Sequence, residues 1–170
     1  VKILIVGNGG REHALLWKLK RDAPDATFYI TRGNGGTAAL AEALPLAATE
    51  VGALADWAAR EAVDLTVVGP EIPLAEGIMD EFAARGLPIF GPTRAAAEIE
   101  SSKAFAKGLM QRHGIPTAEF RVFTDADEAE AYVREKGAPL VVKASGLAAG
   151  KGAVVCDSTD EALTAVHEIM

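Results

Sequence analysis

With 170 residues, 49% of them hydrophobic and 24% charged, the chain has enough apolar material for one core and part of another, which excludes an intrinsically disordered protein. The formal net charge of −7, with basic residues scattered in ones and twos, disfavours a nucleic-acid surface and points to small anions as partners. A lone Cys156, an opening run too short for a signal sequence and no apolar stretch long enough to span a bilayer predict a cytoplasmic protein of a reducing compartment, with no membrane partner.

Ile3 to Val6 reads as a buried strand, turned by Gly7-Asn8-Gly9-Gly10 into a helix over Arg11 to Arg21 with Leu15, Leu16 and Leu19 on one face. Thr27 to Thr31 is a second strand, ended by Arg32-Gly33-Asn34-Gly35-Gly36-Thr37, and a short third strand falls around Leu46. Glu50 to Ala62 predicts a helix, Asp64 to Val68 a strand, and Gly69-Pro70-Glu71-Ile72-Pro73 a loop. A helix over Leu74 to Arg85 and a strand over Pro88 to Phe90 close this region. Strands alternating with helices over about 90 residues imply an open parallel sheet with helices on both faces. Its glycine-bearing loops follow the carboxyl ends of strands, the edge at which such sheets bind ligands.

Gly7-x-Gly9-Gly10 invites a dinucleotide reading. Glu12 stands where the fingerprint needs its third glycine, and Tyr29-Ile30-Thr31 lacks the acidic residue that should end the second strand. The helix start after Gly10 remains a seat for a single phosphate.

From Thr93 a helical tract runs to about His113, with Ser101-Ser102 as cap and break, and Lys103 and Lys107 share a helix face. A smaller unit follows: strand Ala118 to Phe123, helix Asp127 to Lys136, strand Leu140 to Lys143, strand Ala153 to Cys156 and helix Thr159 to Ile169. Between those last two strands lies Lys143-Ala144-Ser145-Gly146-Leu147-Ala148-Ala149-Gly150-Lys151-Gly152, a glycine-spaced loop with lysines at its margins, suited to cover phosphate oxygens. It is not a Walker A loop: only three residues separate Gly146 from Gly150, and a strand follows where Walker A needs Ser or Thr and a helix. Trp17 and Trp57 are expected to pack helices onto the sheet, His13, His113 and His167 to be structural, and Asp125-Ala126-Asp127-Glu128 to cap a helix rather than hold a metal.

Taken together, Gly7-Asn8-Gly9-Gly10-Arg11-Glu12-His13, Gly33-Asn34-Gly35-Gly36-Thr37, Val68-Gly69-Pro70-Glu71, Ser102-Lys103-Ala104-Phe105-Ala106-Lys107 and Lys143 to Gly152 give the chain its identity. In this order they resemble the amino-terminal part of the phosphoribosylamine glycine ligase (glycinamide ribonucleotide synthetase) family of the ATP-grasp superfamily. The resemblance implies a substrate-binding α/β domain at residues 1–92, connecting helices at 93–117 and part of the ATP-grasp lid subdomain at 118–170. It also implies ligation of glycine to 5-phosphoribosylamine through a glycyl phosphate, with ATP giving ADP and phosphate, in purine biosynthesis.

On the same ground ATP contacts fall to Lys103, Lys143, Gly146, Gly150, Lys151 and Gly152, and phosphosugar contacts to Asn8, Gly9, Gly10, Asn34, Gly36, Thr37 and Glu71. No residue of the chain is implied as a catalyst or a metal ligand. The resemblance places the Mg2+ ligands beyond residue 170, so the chain resembles a fragment expected to be inactive alone. Arg32 departs from a frequent proline, Ile72 from Ala and Ser145 from Asp, and Val1 stands where an initiator Met is expected. The alternatives are another ATP-grasp ligase, or a non-catalytic nucleotide or sugar-phosphate binding module.

Overall fold

The computed structural model describes residues 1–146 and 152–170, which form two compact units, Val1–Glu98 and Ile99–Met170. The first is built on five parallel strands: β1 (Lys2–Val6), β2 (Thr27–Thr31), β3 (Glu42–Leu44), β4 (Leu65–Val68) and β5 (Ile89–Phe90), in spatial order β3-β2-β1-β4-β5. Because side chains alternate along a strand, β1 serves two cores. Leu4 and Val6 join Leu54, Ala55, Ala58, Ile78 and Phe82 on one face, while Ile3 and Ile5 join Leu16, Phe28 and Ile30 on the other. The helices behind these contacts are α1 (Gly10–Asp22) on the second face, and α2 (Val51–Arg60) and α4 (Ile78–Ala84) on the first. This is the open parallel sheet, covered on both sides, that the alternating pattern predicts.

Four local expectations in this unit need correction. The third strand lies at Glu42–Leu44, not around Leu46, since Leu44 pairs with Thr31 and fills the core, and Pro45 has no N–H to extend the ladder. The predicted loop at 69–73 and helix at 74–85 are instead α3 (Glu71–Ala75) and α4, separated at Gly77, whose φ of +94° caps α4. Pro73 fits inside α3 because first-turn amides have no intrahelical acceptor. On α1 the buried line is Glu12 and Leu16, with Leu19 beside it; Leu15, one step off that line, is exposed, and Trp17 lies at the surface under the Arg21 guanidinium rather than on the sheet. Trp57 does pack inward, edge-on to Tyr29 at 4.8 Å.

Next come α5 (Arg94–Ser101) and α6 (Lys103–Arg112), broken at Ser102, whose hydroxyl accepts the Phe105 N–H. The second unit then pairs β6 (Leu140–Lys143) antiparallel with β7 (Ala153–Cys156). Helices α7 (Ala126–Lys136) and α8 (Thr159–Ile169) cover one face through Ala129, Val133, Ala162, Ala165 and Val166 around a fully buried Cys156. Asp125 caps α7 by accepting the Glu128 N–H, and Ser158 caps α8 by accepting the Glu161 N–H. The strand expected at Ala118 to Phe123 is not formed. Among the described strands β6 pairs only with β7, and the segment is tied by side chains, Glu119 to Lys136 and Arg121 over the Phe123 and Tyr132 rings.

One buried group in β4 works against stability. The Thr66 hydroxyl has no exposure and no hydrogen-bond partner among the described residues. Thr66→Val keeps the shape and removes the unpaired group, so it should raise stability by about 1 kcal/mol, read as a higher urea midpoint at unchanged m-value.

Candidate functional site

Connections leave β1 toward β2 and β4 toward β5, so the strand order reverses between β1 and β4, the point at which an open parallel sheet leaves a crevice. The loops after those two strands meet there. Gly69 N–H donates to the Val6 carbonyl, and the buried carboxylate of Glu12 fills the space between the loops. A Cβ on Gly7 would lie 2.7 Å from Glu12 Cγ, and one on Gly69 only 2.0 Å from Glu12 Oε1. Glu12 Oε2 accepts the Gly9 N–H at 2.7 Å, and Oε1 accepts Arg11 Nε at 3.0 Å. The residue that breaks the dinucleotide fingerprint is thus what holds the crevice floor together. Its signal in the sequence is the Gly9-x-x-Glu12 spacing, in which a carboxylate at the third helical position reaches back to the N-cap amide.

Arg11 forks outward from this anchor. Its Nη2 reaches Glu71 Oε2 at 3.3 Å, linking α1 to the first residue of α3. The Arg11 pKa is raised, first by its hydrogen bond to Glu12 and also by Glu71. Glu71 is lowered, first by a hydrogen bond from its own backbone N–H and then by Arg11, so its carboxylate is ionised through the neutral range.

The residues expected to hold a phosphosugar divide into two sets. Asn34 is engaged within the protein: its Nδ2 donates to the Asn8 carbonyl at 2.7 Å, and its Oδ1 accepts the Gly36 and Thr37 amides. Thr37 is fully buried, its hydroxyl exchanging hydrogen bonds with the Asn34 backbone. Gly36 lies against the His13 ring, 2.5 Å from where a Cβ would stand, so this loop needs glycine for close packing. The Gly9 amide is already taken by Glu12.

Of the seven only Thr37 is buried; the Asn8 side chain, Gly10 and Glu71 are set apart from the exposed Gly9, Asn34 and Gly36 by lacking those loop-building contacts, with no side chain approaching Gly10 and the Glu71 side chain 42% exposed. At the margin, Arg32 adopts φ +54° with the Gly33 N–H on the Thr31 carbonyl, a turn that a proline locked near −65° cannot make.

In the second unit the start of the glycine loop docks on the N-terminus of α6. Ser145 accepts the Lys103 N–H on its carbonyl at 2.9 Å and the Ala104 N–H on its hydroxyl at 3.2 Å, while Lys103 Nζ donates to the Gly146 carbonyl at 2.8 Å. The role of Ser145 as a second cap has no signature in the sequence. Lys107, on the same helix, is tied elsewhere, to Thr117 Oγ1 and the Ala118 carbonyl with its ammonium over the Phe120 ring. Lys143 ends β6 on the hairpin face away from the core, and the Gly152 carbonyl accepts the Ala144 N–H at 2.8 Å. Gly150 and Lys151 lie outside the described residues. Among the described residues no group of three or more His, Cys, Asp or Glu could hold a metal ion, and no helix is long and apolar enough to cross a membrane.

A parallel α/β unit with its crevice at β1/β4, followed by a helix-covered hairpin whose loop engages a lysine, is the architecture of ATP-grasp proteins. The chain belongs to the phosphoribosylglycinamide synthetase family: the model of that family's N domain matches residues 1–100, and the model of its ATP-grasp (A) domain matches residues 101–170. It is 57% identical over all 170 residues to the phosphoribosylamine-glycine ligase of Ralstonia nicotianae and 52% identical over 173 aligned residues to that of Escherichia coli K12. The chain spans 40% of the length of each of these relatives.

Among solved structures it is similar to the phosphoribosylamine-glycine ligase of Thermotoga maritima, with a TM-score of 0.74 and 30% identity over 96% of this chain and 38% of that one. The fold is also that of the Aspergillus clavatus N5-carboxyaminoimidazole synthase, solved with ADP and 5-aminoimidazole ribonucleotide, at a TM-score of 0.75 and 20% identity over 99% of this chain and 44% of that one.

Proposed function

We propose that this chain is the amino-terminal part of an enzyme that ligates glycine to 5-phosphoribosylamine with conversion of ATP to ADP and phosphate, in a cytoplasmic pathway of purine synthesis. The observation that carries the reading is the 57% identity, across both units, to a ligase of that name. In this reading the first unit seats the phosphosugar at the β1/β4 crevice through Asn8, the Gly10 amide and Glu71, with Asn34, Gly36, Thr37 and Gly9 building the loops that present them. The second unit contributes Lys103, Lys143 and the loop from Gly146 to Gly152, including Gly150 and Lys151, to the ATP phosphates.

The γ-phosphate would activate the glycine carboxylate as an acyl phosphate, which the phosphosugar amine attacks with loss of phosphate. Such chemistry rests on positioning and charge stabilisation, for which lysines and backbone amides are suited. Magnesium would accompany the nucleotide, its protein ligands supplied by the part of the enzyme represented in the relatives beyond the 40% matched here.

The test uses the full-length protein. Phosphate release from ATP is expected only with glycine and phosphoribosylamine both present, and none from residues 1–170 alone. Glycine-independent turnover with bicarbonate would favour a carboxylating ATP-grasp relative, and phosphosugar binding without any turnover would favour a binding module.

A further inference from the structure

At the crevice the Arg11 guanidinium is held on two sides by carboxylates, and the phosphosugar reading leaves it without a part. Its Nε is fixed on Glu12, a carboxylate 3% exposed and itself pinned by the Gly9 N–H. Its Nη2 meets Glu71 across the loops that follow β1 and β4. Glu71 begins α3, a helix of five residues, and has no other side-chain partner among the described residues. The hydrogen bond from its own backbone N–H and the Arg11 contact together hold the Glu71 side chain over the crevice mouth, which reduces the entropy lost when a ligand hydroxyl or amine donates to it.

We propose that Arg11 is a positioning residue: anchored on buried Glu12, it holds the Glu71 carboxylate over the β1/β4 crevice as an acceptor for the hydroxyl or amine groups of a phosphosugar. The proposal rests on the ligase reading above. Arg11 acts through Glu71 and needs no contact of its own with substrate. Lysine at this position could keep a charge near Glu71, but it cannot engage both carboxylates with a planar fork.

The experiment is a double-mutant cycle on the full-length enzyme with Arg11→Met, Glu71→Gln and the pair, plus Arg11→Lys, reading kcat and each KM separately. Glu71→Gln should raise the KM for phosphoribosylamine by about 10-fold or more, and Arg11→Met by about 5- to 10-fold, with the KM for ATP and glycine within about 2-fold of wild type. The double variant should be no worse than Glu71→Gln alone, because Arg11 has nothing left to position. Arg11→Lys should recover part of the loss.

Multiplicative effects in the double variant would overturn the proposal, as would an Arg11→Met enzyme with an unchanged phosphoribosylamine KM or an equal rise in the KM for ATP. Calorimetric binding of ribose 5-phosphate to the same four proteins gives a readout free of turnover: weakened binding that fails to multiply supports the positioning role, and unchanged binding in both single variants refutes it. Full-length wild type that lacks glycine-dependent ADP formation would instead sink the ligase reading, while an active wild type with an indifferent Arg11→Met sinks only the role of Arg11.

Discussion

Gly69→Ala should destabilise the amino-terminal unit severely, although it adds a single methyl group. The new Cβ would stand 2.0 Å from Glu12 Oε1 and 2.5 Å from its Cδ and Cγ, so the glutamate must move. An exposed side chain would swing aside at little cost. Glu12 cannot, because it is 3% exposed, and leaving its place strands the Gly9 N–H and breaks the contact with Arg11. Overpacking of this kind costs about 1–3 kcal/mol, and loss of the hydrogen bond from the Gly9 N–H to the Glu12 carboxylate about 1.5–3 more. That is a large share of a typical domain's stability of about 5–15 kcal/mol.

The measurement is the urea midpoint. Gly35→Ala is the control, since nothing lies within 4 Å of its added Cβ, and it should shift stability by less than about 0.5 kcal/mol. Glu12→Ala should also destabilise, but Gly69→Ala added to it should cost little more, because the clash is with the side chain already removed. A Gly69→Ala protein as stable as the Gly35→Ala control would show that Glu12 is not fixed as described.

The parts of this molecule that were legible in its sequence are those governed by local pattern. Thr27–Thr31, Leu140–Lys143, Ala153–Cys156 and Thr159–Ile169 begin and end where the pattern predicts, because each is bounded by turn or capping residues and its apolar period is unambiguous. Failures occur where a distant partner decides. Residues 118–123 have strand composition, but composition does not decide pairing: among the described residues the segment joins neither edge of the two-stranded β6-β7 sheet and is tied by side chains instead. Leu15 and Leu16 are indistinguishable as letters; only the direction in which α1 meets the sheet buries one and exposes the other.

The site divides in the same way. Loops and their strand-end positions follow from glycine spacing, whereas Asn34 and Thr37, polar and beside the crevice, spend their hydrogen bonds on one another and on Asn8. A sequence motif records that a residue matters, without distinguishing one that builds a loop from one that meets a ligand.

Lys103 and Lys107 make that distinction testable, since they share a helix face and differ only in what each ammonium meets. Lys103→Met in the full-length enzyme is expected to lower ATP-dependent turnover by about 100-fold or more, with a raised KM for ATP. The magnitude follows from the proposed reading, in which the variant removes one preorganised charge at a phosphoryl transition state. Its ammonium sits 2.8 Å from the Gly146 carbonyl, at the start of the glycine loop, held by a neutral dipole that a phosphate oxygen would outcompete.

Lys107 instead braces the segment after α6 through Thr117, Ala118 and the Phe120 ring. Lys107→Met should therefore leave turnover within about 3-fold of wild type and appear mainly as a loss of about 1 kcal/mol in stability. Arginine in place of Lys103 keeps the charge but not the compact ammonium geometry, so it should restore only part of the rate. A severe Lys107→Met enzyme beside a nearly normal Lys103→Met one would reverse the assignment and place the ATP phosphates nearer the middle of α6 than its N-terminus.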